Sequence, residues 1–371
     1  MGYVAVKGGQ TAIEQAGRLL AYQRRRGTSR PLEIRQIKEQ LYLAVDRVMG
    51  EASLYAPDLA ALALKQAAGD TLEAAFMLRA YRATQPRLGY SLPQDTTAMR
   101  VIRRISAAFK DIPGGQILGP TSDYTLRLLD FDLQAESARQ VQDFLQELAA
   151  AAGGQEPLPL TFPKVIDLLR QEHLLAPRPD VAAATAPVDI TRQALTFPAS
   201  RSAALQTMTR GETGGLLLLA YSNMRGYGDI HPTVGELRLG YLPVHIRHPR
   251  TGLPYHVGDV KVTEAEVIAR FTAPDGTPRF TLGYGLCFGH NEVKAIAMAV
   301  LDRAMQAEEV KSPSEDQEFV LSHIDGIESM GFCTHYKLPH YVTFQSDLDR
   351  LRQAQGVSPE KVKEAGKRHV A

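Results

Sequence analysis

The chain has 371 residues, two of them cysteine, and carries 42 Lys and Arg against 41 Asp and Glu, a formal net charge of +1. That length buries a core split over more than one domain without a disulfide scaffold, and the balanced charge excludes the global electrostatic footprint of a nucleic-acid binder. No secretory h-region opens the sequence, the apolar run "GLLLLAY" is far shorter than the roughly 20 residues that span a bilayer, and Val6 stands where a myristoylation signal needs Ser or Thr; the expectation is a cytoplasmic, reducing compartment and no membrane anchor.

The N-terminal third reads as helical. Ile34, Ile37, Leu41, Val45 and Val48 recur at three- and four-residue steps, which lays one apolar stripe along a helix. "GDTLEAAFMLRAY" starts another, with Asp70 and Glu73 in the pattern of a capping box near the positive end of the helix dipole. From Met99 the texture changes. "RVIRRISAAF" alternates as a strand does, "DIPGGQILGP" is turn-rich, and "LRLLDFDL" is expected to return as the antiparallel partner, making a hairpin. Two arginine-rich stretches, "QRRRG" at 23–27 and "MRVIRRIS" at 99–106, read most simply as a solvated helix end and the outer face of a strand, although an arginine fork also grips phosphate.

Stretches rich in small residues and proline at 149–158 and 176–187 bracket one short helix, "PKVIDLLRQEHLL". Beyond them "GGLLLLAYS", "GELRLGYLPVHI", "HVGDVKVTEAEVIARF" and "RFTLGYGLCFG" read as strands. The helix "NEVKAIAMAVLDRAMQAEE" follows, with Val293, Ile296, Ala297, Val300, Leu301 and Ala304 on one face. The expected fold class is α+β. A mainly helical N-terminal domain with the hairpin occupies 1–150, a linker with one short helix 151–200, a mainly antiparallel sheet domain with helices 201–345, and a helical or flexible tail 346–371.

Three stretches suggest chemistry. "GYGLCFGHNE" puts Gly283, Gly285 and Gly289 between a strand and a helix, where amides attract anions. The spacing is not that of a dinucleotide fingerprint, and a turn needing positive φ is the simpler reading. "KDIPGGQILGP" offers a backbone nest around Gly114 and Gly115 with Lys110 beside it, or a plain turn. "CTHYKLPHY" gathers Cys333, His335 and His340. On a continuous helix the two imidazoles would point about 140° apart, but Pro339 disfavours a helix and a loop could bring them to one ion. Cys333 would face the same side as His335 if that segment were extended. Zinc takes three protein ligands in catalytic sites and four in structural ones, so two histidines are an incomplete set; a pair of hydrogen-bonded loop histidines is the alternative. Upstream, "EFVLSHIDGIE" adds Glu318, His323, Asp325 and Glu328 as further ligands or acid–base groups.

Taken in order, "VAVKGG", "LAVDRVM", "DLAALALKQA", "RRISAAFKDIPGGQILGPTSDYTLRLLDF", "RFTLGYGLCFGHNEVKAIAMAVLDRA", "EFVLSHIDGIESMGF" and "HYKLPHYVTFQSDLD" resemble the PhnI family, the I subunit of the bacterial carbon–phosphorus lyase core complex. The likeness covers nearly the whole chain, leaving out the linker at 149–200 and the tail "SPEKVKEAGKRHVA". The resemblance implies a phosphonate-acting enzyme subunit. With partner subunits G, H and L the family displaces adenine from MgATP by methylphosphonate, giving α-D-ribose 1-methylphosphonate 5-triphosphate. Alone it acts as a purine nucleosidase on ATP or GTP, with water as nucleophile. The family's metal-site histidines, facing subunit J, match His335 and His340, which implies zinc there; Cys333 departs from the pattern and carries no ligand role.

Such chemistry builds positive charge on the sugar, so a carboxylate near the ring and an acid on the purine assist it. Asp325, Glu318 and His323 are the candidates, with Glu236 and Asp302 as further carboxylates. A triphosphate with magnesium calls for arginine, lysine and backbone amides. Arg103, Arg104, Lys110, Gly114 and Gly115 match that demand, as do Lys7, Gly8 and Gly9. A non-catalytic scaffold subunit and an independent zinc hydrolase stand as alternatives.

Overall fold

The computed structural model describes residues 9–152, 161–176, 187–227, 232–272 and 277–356. The linker stretches at 153–160 and 177–186, Lys7, Gly8 and the tail from 357 lie outside the described residues. The chain divides into two compact units, Glu33–Gly326 and the pair of segments Met1–Leu32 and Ile327–Ala371. No helix among the described residues is long and apolar enough to cross a membrane.

In the larger unit, four helices come first: α2 (Ile34–Gln40), α3 (Tyr42–Ala52), α4 (Pro57–Gln66) and α5 (Thr71–Thr84). The stripe expected of one helix runs over two, because the backbone breaks at Leu41 (φ −107°, ψ 35°). Ile37, Val45 and Val48 are buried as expected, whereas Leu41 at the break is exposed. Asp70 caps α5, its carboxylate accepting from Leu72 N and Glu73 N, which satisfies two of the amides a helix start leaves open.

A four-stranded antiparallel sheet has the order β1 (Arg100–Ile105), β2 (Thr233–Arg247), β3 (Pro254–Thr272), β4 (Pro278–Phe288). The α+β reading therefore holds, and three of the four strands expected after residue 200 form. The expected hairpin does not. β1 pairs with β2, and residues 126–133 return no strand. Among the described residues, the one β-bridge between β1 and the chain after the turn is Arg104–Ile117. Gly119 then leads it away with φ +60°, and a Cβ there would stand 2.8 Å from Ile102 O. "GGLLLLAYS" is also corrected: it forms helix α9 (Thr213–Ser222), capped by the Glu212 carboxylate accepting from Gly214 N and Gly215 N. A short unbroken apolar run does not separate helix from strand by period; the cap, and burial of Leu216 and Ala220 four apart, decide for the helix.

Helix α10 (Glu292–Ala304) packs on β4 and β3. Gly283 and Gly285, two apart on β4, make that approach possible. A Cβ at either would meet Ala299 O at 1.9 Å or Ala295 O at 2.1 Å. Gly289 alone of the three glycines has the positive φ, +78°. Ala297, Val300, Leu301 and Ala304 are buried as expected, but Val293 is exposed and Lys294 takes the inward position at 0% exposure, donating to Gly50 O and Thr209 O. Burial lowers the Lys294 ammonium from its ordinary range. Leu237, Ala265 and Val267 join α10 in the main core, while Ile268 packs with Ile166 and Leu169 of α7 (Ile166–Gln171).

The smaller unit holds α1 (Gln10–Arg25), α12 (Gly326–His335), which begins at the unit boundary, and α13 (Tyr341–Ala354). Arg24 and Arg25 end α1 and are exposed, the solvated helix end that their sequence suggested.

Candidate functional site

In the smaller unit, α12 ends at His335 and His340 is the N-cap of α13. Between them Tyr336 N, Lys337 N and Leu338 N donate to Cys333 O, Thr334 O and His335 O, a tightened helix end that Pro339 cannot extend. The turn brings the two Nε2 atoms within 3.0 Å, with the rings nearly perpendicular at 84°. His340 Nδ1 is 2.5 Å from Leu338 O. A carbonyl only accepts, so the proton sits on Nδ1 and the Nε2 lone pair faces His335. Two imidazoles on one tetrahedral zinc would hold their nitrogens about 3.3 Å apart, so this pair is a few tenths of an ångström from sharing an ion. Cys333 is exposed and lies two residues back on a helix, roughly 200° around from His335, not beside it as an extended segment would place it. No group of three or more His, Cys, Asp or Glu among the described residues is arranged to hold a metal.

The three acid–base candidates fall in the larger unit with different partners. Both oxygens of Asp325 accept from Arg79 Nη1, at 2.7 and 2.8 Å, and Arg210 Nε lies 3.4 Å away. Glu318 is exposed in the first turn of α11 (Gln317–His323). His323 ends that helix, its Nδ1 2.6 Å from Phe319 O and its ring stacked on Phe319. Glu236 and Asp302 are buried at 2% and 3%, Glu236 against Arg104 and Asp302 against Arg201.

The phosphate candidates divide as well. Lys110 and Gly115 line one open cleft of about 420 Å³ with Asp111, Gln116 and Tyr124. Arg104 stands behind it at 0% exposure, so the outer-face reading of this arginine pair is corrected. Its Nη1 donates to Pro113 O and Gly115 O, Nη2 to Pro163 O, and Nε to Glu236. Arg103, also fully buried, bonds Leu118 O and Asp123, and its Nε lies 2.6 Å from Glu292 at an angle that misses a hydrogen bond. Gly114 backs onto Phe162, where a Cβ would stand 2.8 Å from the ring.

Glu264, Glu266, Arg238 and Lys164 were not singled out in the sequence. Cross-strand register places Glu236 opposite Glu266 and Arg238 opposite Glu264 on one sheet face, and Lys164 reaches Glu264 at 2.6 Å. The alternation in "GELRLGY" and "VTEAEVIA" carried the signal: charges two apart share a face. Burial works to raise the Glu264 carboxyl, but Lys164 and Arg238 outweigh it and hold it at about 2. Burial dominates at Glu266 and raises it, and its Oε2 has no hydrogen-bond partner. A depressed folded value means that Glu264 stabilises fully above the unfolded value near 4.5, and that this is lost as pH falls toward about 2. Glu266 has the opposite sign: its carboxylate weakens the fold at neutral pH. Urea melts of Glu266→Gln at pH 7 should therefore show a midpoint at or above wild type, and wild-type midpoints should fall between pH 4.5 and 2. A lower midpoint for Glu266→Gln would show that its carboxylate is a net support.

Over nearly its full length the chain matches a known class of protein. A profile described as bacterial phosphonate metabolism protein (PhnI) matches residues 2–357. The chain belongs to the PhnI family. It is 58% identical over 366 residues, covering 96% of each chain, to HtxH of Stutzerimonas stutzeri, a protein named as a C-P lyase subunit. It is also similar to two proteins named alpha-D-ribose 1-methylphosphonate 5-triphosphate synthase subunit PhnI. One, from Escherichia coli (strain K12), is 50% identical over 359 residues, covering 95% of this chain and 98% of the relative. The other, from Rhizobium meliloti (strain 1021), is 47% identical over 357 residues, with 95% and 94% covered.

Proposed function

We propose that this chain is a catalytic subunit of an α-D-ribose 1-methylphosphonate 5-triphosphate synthase in a carbon–phosphorus lyase complex, working with subunits G, H, J and L. The supporting observation is 50% identity over almost the full length of a relative carrying that name. In the reaction a phosphonate oxygen bonds to the ribose anomeric carbon of MgATP, the bond from that carbon to the purine nitrogen breaks, and the base leaves with a proton. Alone, the subunit puts water in place of the phosphonate and releases base and ribose 5-triphosphate from ATP or GTP. Magnesium enters with the nucleotide. Asp325, Glu318 and His323 are the proposed acid–base groups, and Arg103, Arg104, Lys110, Gly114 and Gly115 the proposed nucleotide-binding set, in which Arg104 acts by bracing the Lys110 cleft.

His335 and His340 fit zinc as two converging imidazoles, one with its ring orientation set by Leu338 O. The remaining ligands come from subunit J or water. When bound, the ion supplies a Lewis acid at the subunit boundary. The protein incubated with MgATP is expected to yield adenine and ribose 5-triphosphate on chromatography, and the reconstituted complex with methylphosphonate a phosphonate-linked sugar by phosphorus NMR. ADP or phosphate without free base would sink this reading.

A further inference from the structure

We propose that residues 122–151 form an arm that docks into a different protein chain, one presenting an apolar groove rimmed by lysine and arginine. Every residue from Ser122 to Ala151 is exposed. Large apolar side chains recur in two runs, Leu126, Leu128, Leu129 and Phe131 first and Val141, Phe144, Leu145 and Leu148 after them, from 38% exposed at Val141 to 86% at Leu126. Eight side chains of this size, most of them more than half exposed, leave on the order of 1,000 Å² in water. That is more than the few hundred Å² a monomer ordinarily shows as its largest apolar patch, and it is about one partner's share of a standard specific interface.

Short-range bonds order the arm. Asp123 at its root is held by the fully buried Arg103. Asp130 Oδ1 accepts from Asp132 N and starts the turn at Phe131–Ala135. Gln140 N donates to Ser137 Oγ and Ser137 N to Gln140 Oε1, a reciprocal cap that opens α6 (Ala138–Ala152). Val141, Phe144, Leu145 and Leu148 stand at i, i+3, i+4 and i+7 on that helix, the stripe by which a helix seats in an apolar groove. A helix of 15 residues is marginal in water until such a stripe is packed, so a covering chain stabilises it.

Charge selects the occupant. Arg127 faces Asp123 at 3.7 Å and Arg139 faces Asp143 at 3.8 Å, both within the arm. Asp130, Asp132, Glu136 and Glu147 form no ion pair among the described residues. Arm against arm in a two-fold dimer would set these acids against their own copies, whereas a basic rim answers them. Tyr124 lines the Lys110 cleft, so a chain seated on Leu126 and Leu128 reaches the rim of that cleft. Resting on the proposed function, that chain is another subunit of the complex.

The test is assembly of the full chain with subunits G, H, J and L, read by size-exclusion chromatography with light scattering and by calorimetric titration, beside thermal melts and base release of the full chain alone. Phe144→Asp with Leu148→Asp, and separately Leu126→Asp with Leu128→Asp, should weaken binding of one subunit about thirtyfold or more, the effect of losing an interface anchor. Glu136→Lys with Glu147→Lys should weaken it about three- to tenfold and flatten its salt dependence. Alone, the two aspartate variants should melt as wild type does, because the side chains replaced are exposed, and should release base at the wild-type rate. Wild-type assembly by all three variants would overturn the arm. So would an aspartate variant melting well below wild type, which would mean that the arm packs on its own chain. Loss of a homodimer with every subunit still bound would seat a second copy there instead, and failure of wild type to bind any of the four subunits would remove the occupant. Assembly that depends on Phe144 and Leu148, in a protein releasing no base, would leave the arm standing and end the proposed function; base release with assembly indifferent to the arm would do the reverse.

Discussion

Arg104→Ala should lower the folding free energy by about 3 to 5 kcal/mol, the usual cost of removing one member of a buried ion pair. The guanidinium is at 0% exposure and sends four N–H bonds to four different acceptors. Its loss leaves Glu236, itself 2% exposed, with only Val165 N as partner. It also frees the carbonyls of Pro113, Gly115 and Pro163, which tie the 113–115 turn and the approach to α7 onto the sheet. Arg104→Lys should not rescue, because one ammonium cannot span acceptors that a planar fork reaches in several directions. Arg104→Met combined with Glu236→Leu should recover much of the loss, since a buried pair replaced by apolar groups of similar volume is often neutral. Urea denaturation measures all three. A loss below about 1 kcal/mol would put the pair with surface salt bridges and remove its role in shaping the Lys110 cleft.

The second large effect concerns metal. Substituting His335 or His340 by alanine should reduce zinc in the assembled complex from about one equivalent to near none, because either change leaves one local imidazole for an ion that takes three or four protein ligands. The Nε2 atoms converge at 3.0 Å, His340 is exposed and His335 is only partly covered, so the substitutions should cost the fold less than about 0.5 kcal/mol. Carbon–phosphorus bond cleavage by the complex should fail, while adenine release by the lone subunit survives. Metal analysis of wild-type and His335→Ala complexes, with melts and base release on each lone subunit, checks this. Unchanged zinc would mean that the 3.0 Å contact is a plain hydrogen bond between imidazoles. Lost base release with intact folding would place the pair in the nucleosidase site.

Legibility followed the range of the interactions. Asp70 as a cap, the buried stripe of Ala297, Val300, Leu301 and Ala304, and three alternating strands were readable because each depends on neighbours within one turn or one pleat. Leu126, Leu128 and Leu129 looked like strand residues, yet they are 79–86% exposed and unpaired in the sheet, since strand pairing is decided by which distant edge is offered. The acid–base candidates Asp325, Glu318 and His323 were legible as chemistry but not as geometry.

By itself, the sequence determined the α+β class, the family, the cap and stripe positions, and the two imidazoles five residues apart around a proline. The tertiary structure alone decided that β2 is the partner of β1, that Arg103 and Arg104 are interior, and that Glu264 and Glu266 share one buried face with unlike acidities. The physical reason is that helix and strand tendencies are set by residues within one turn. Burial, ion pairing and the acidity of a side chain depend on desolvation and on charges brought together from positions far apart in the chain.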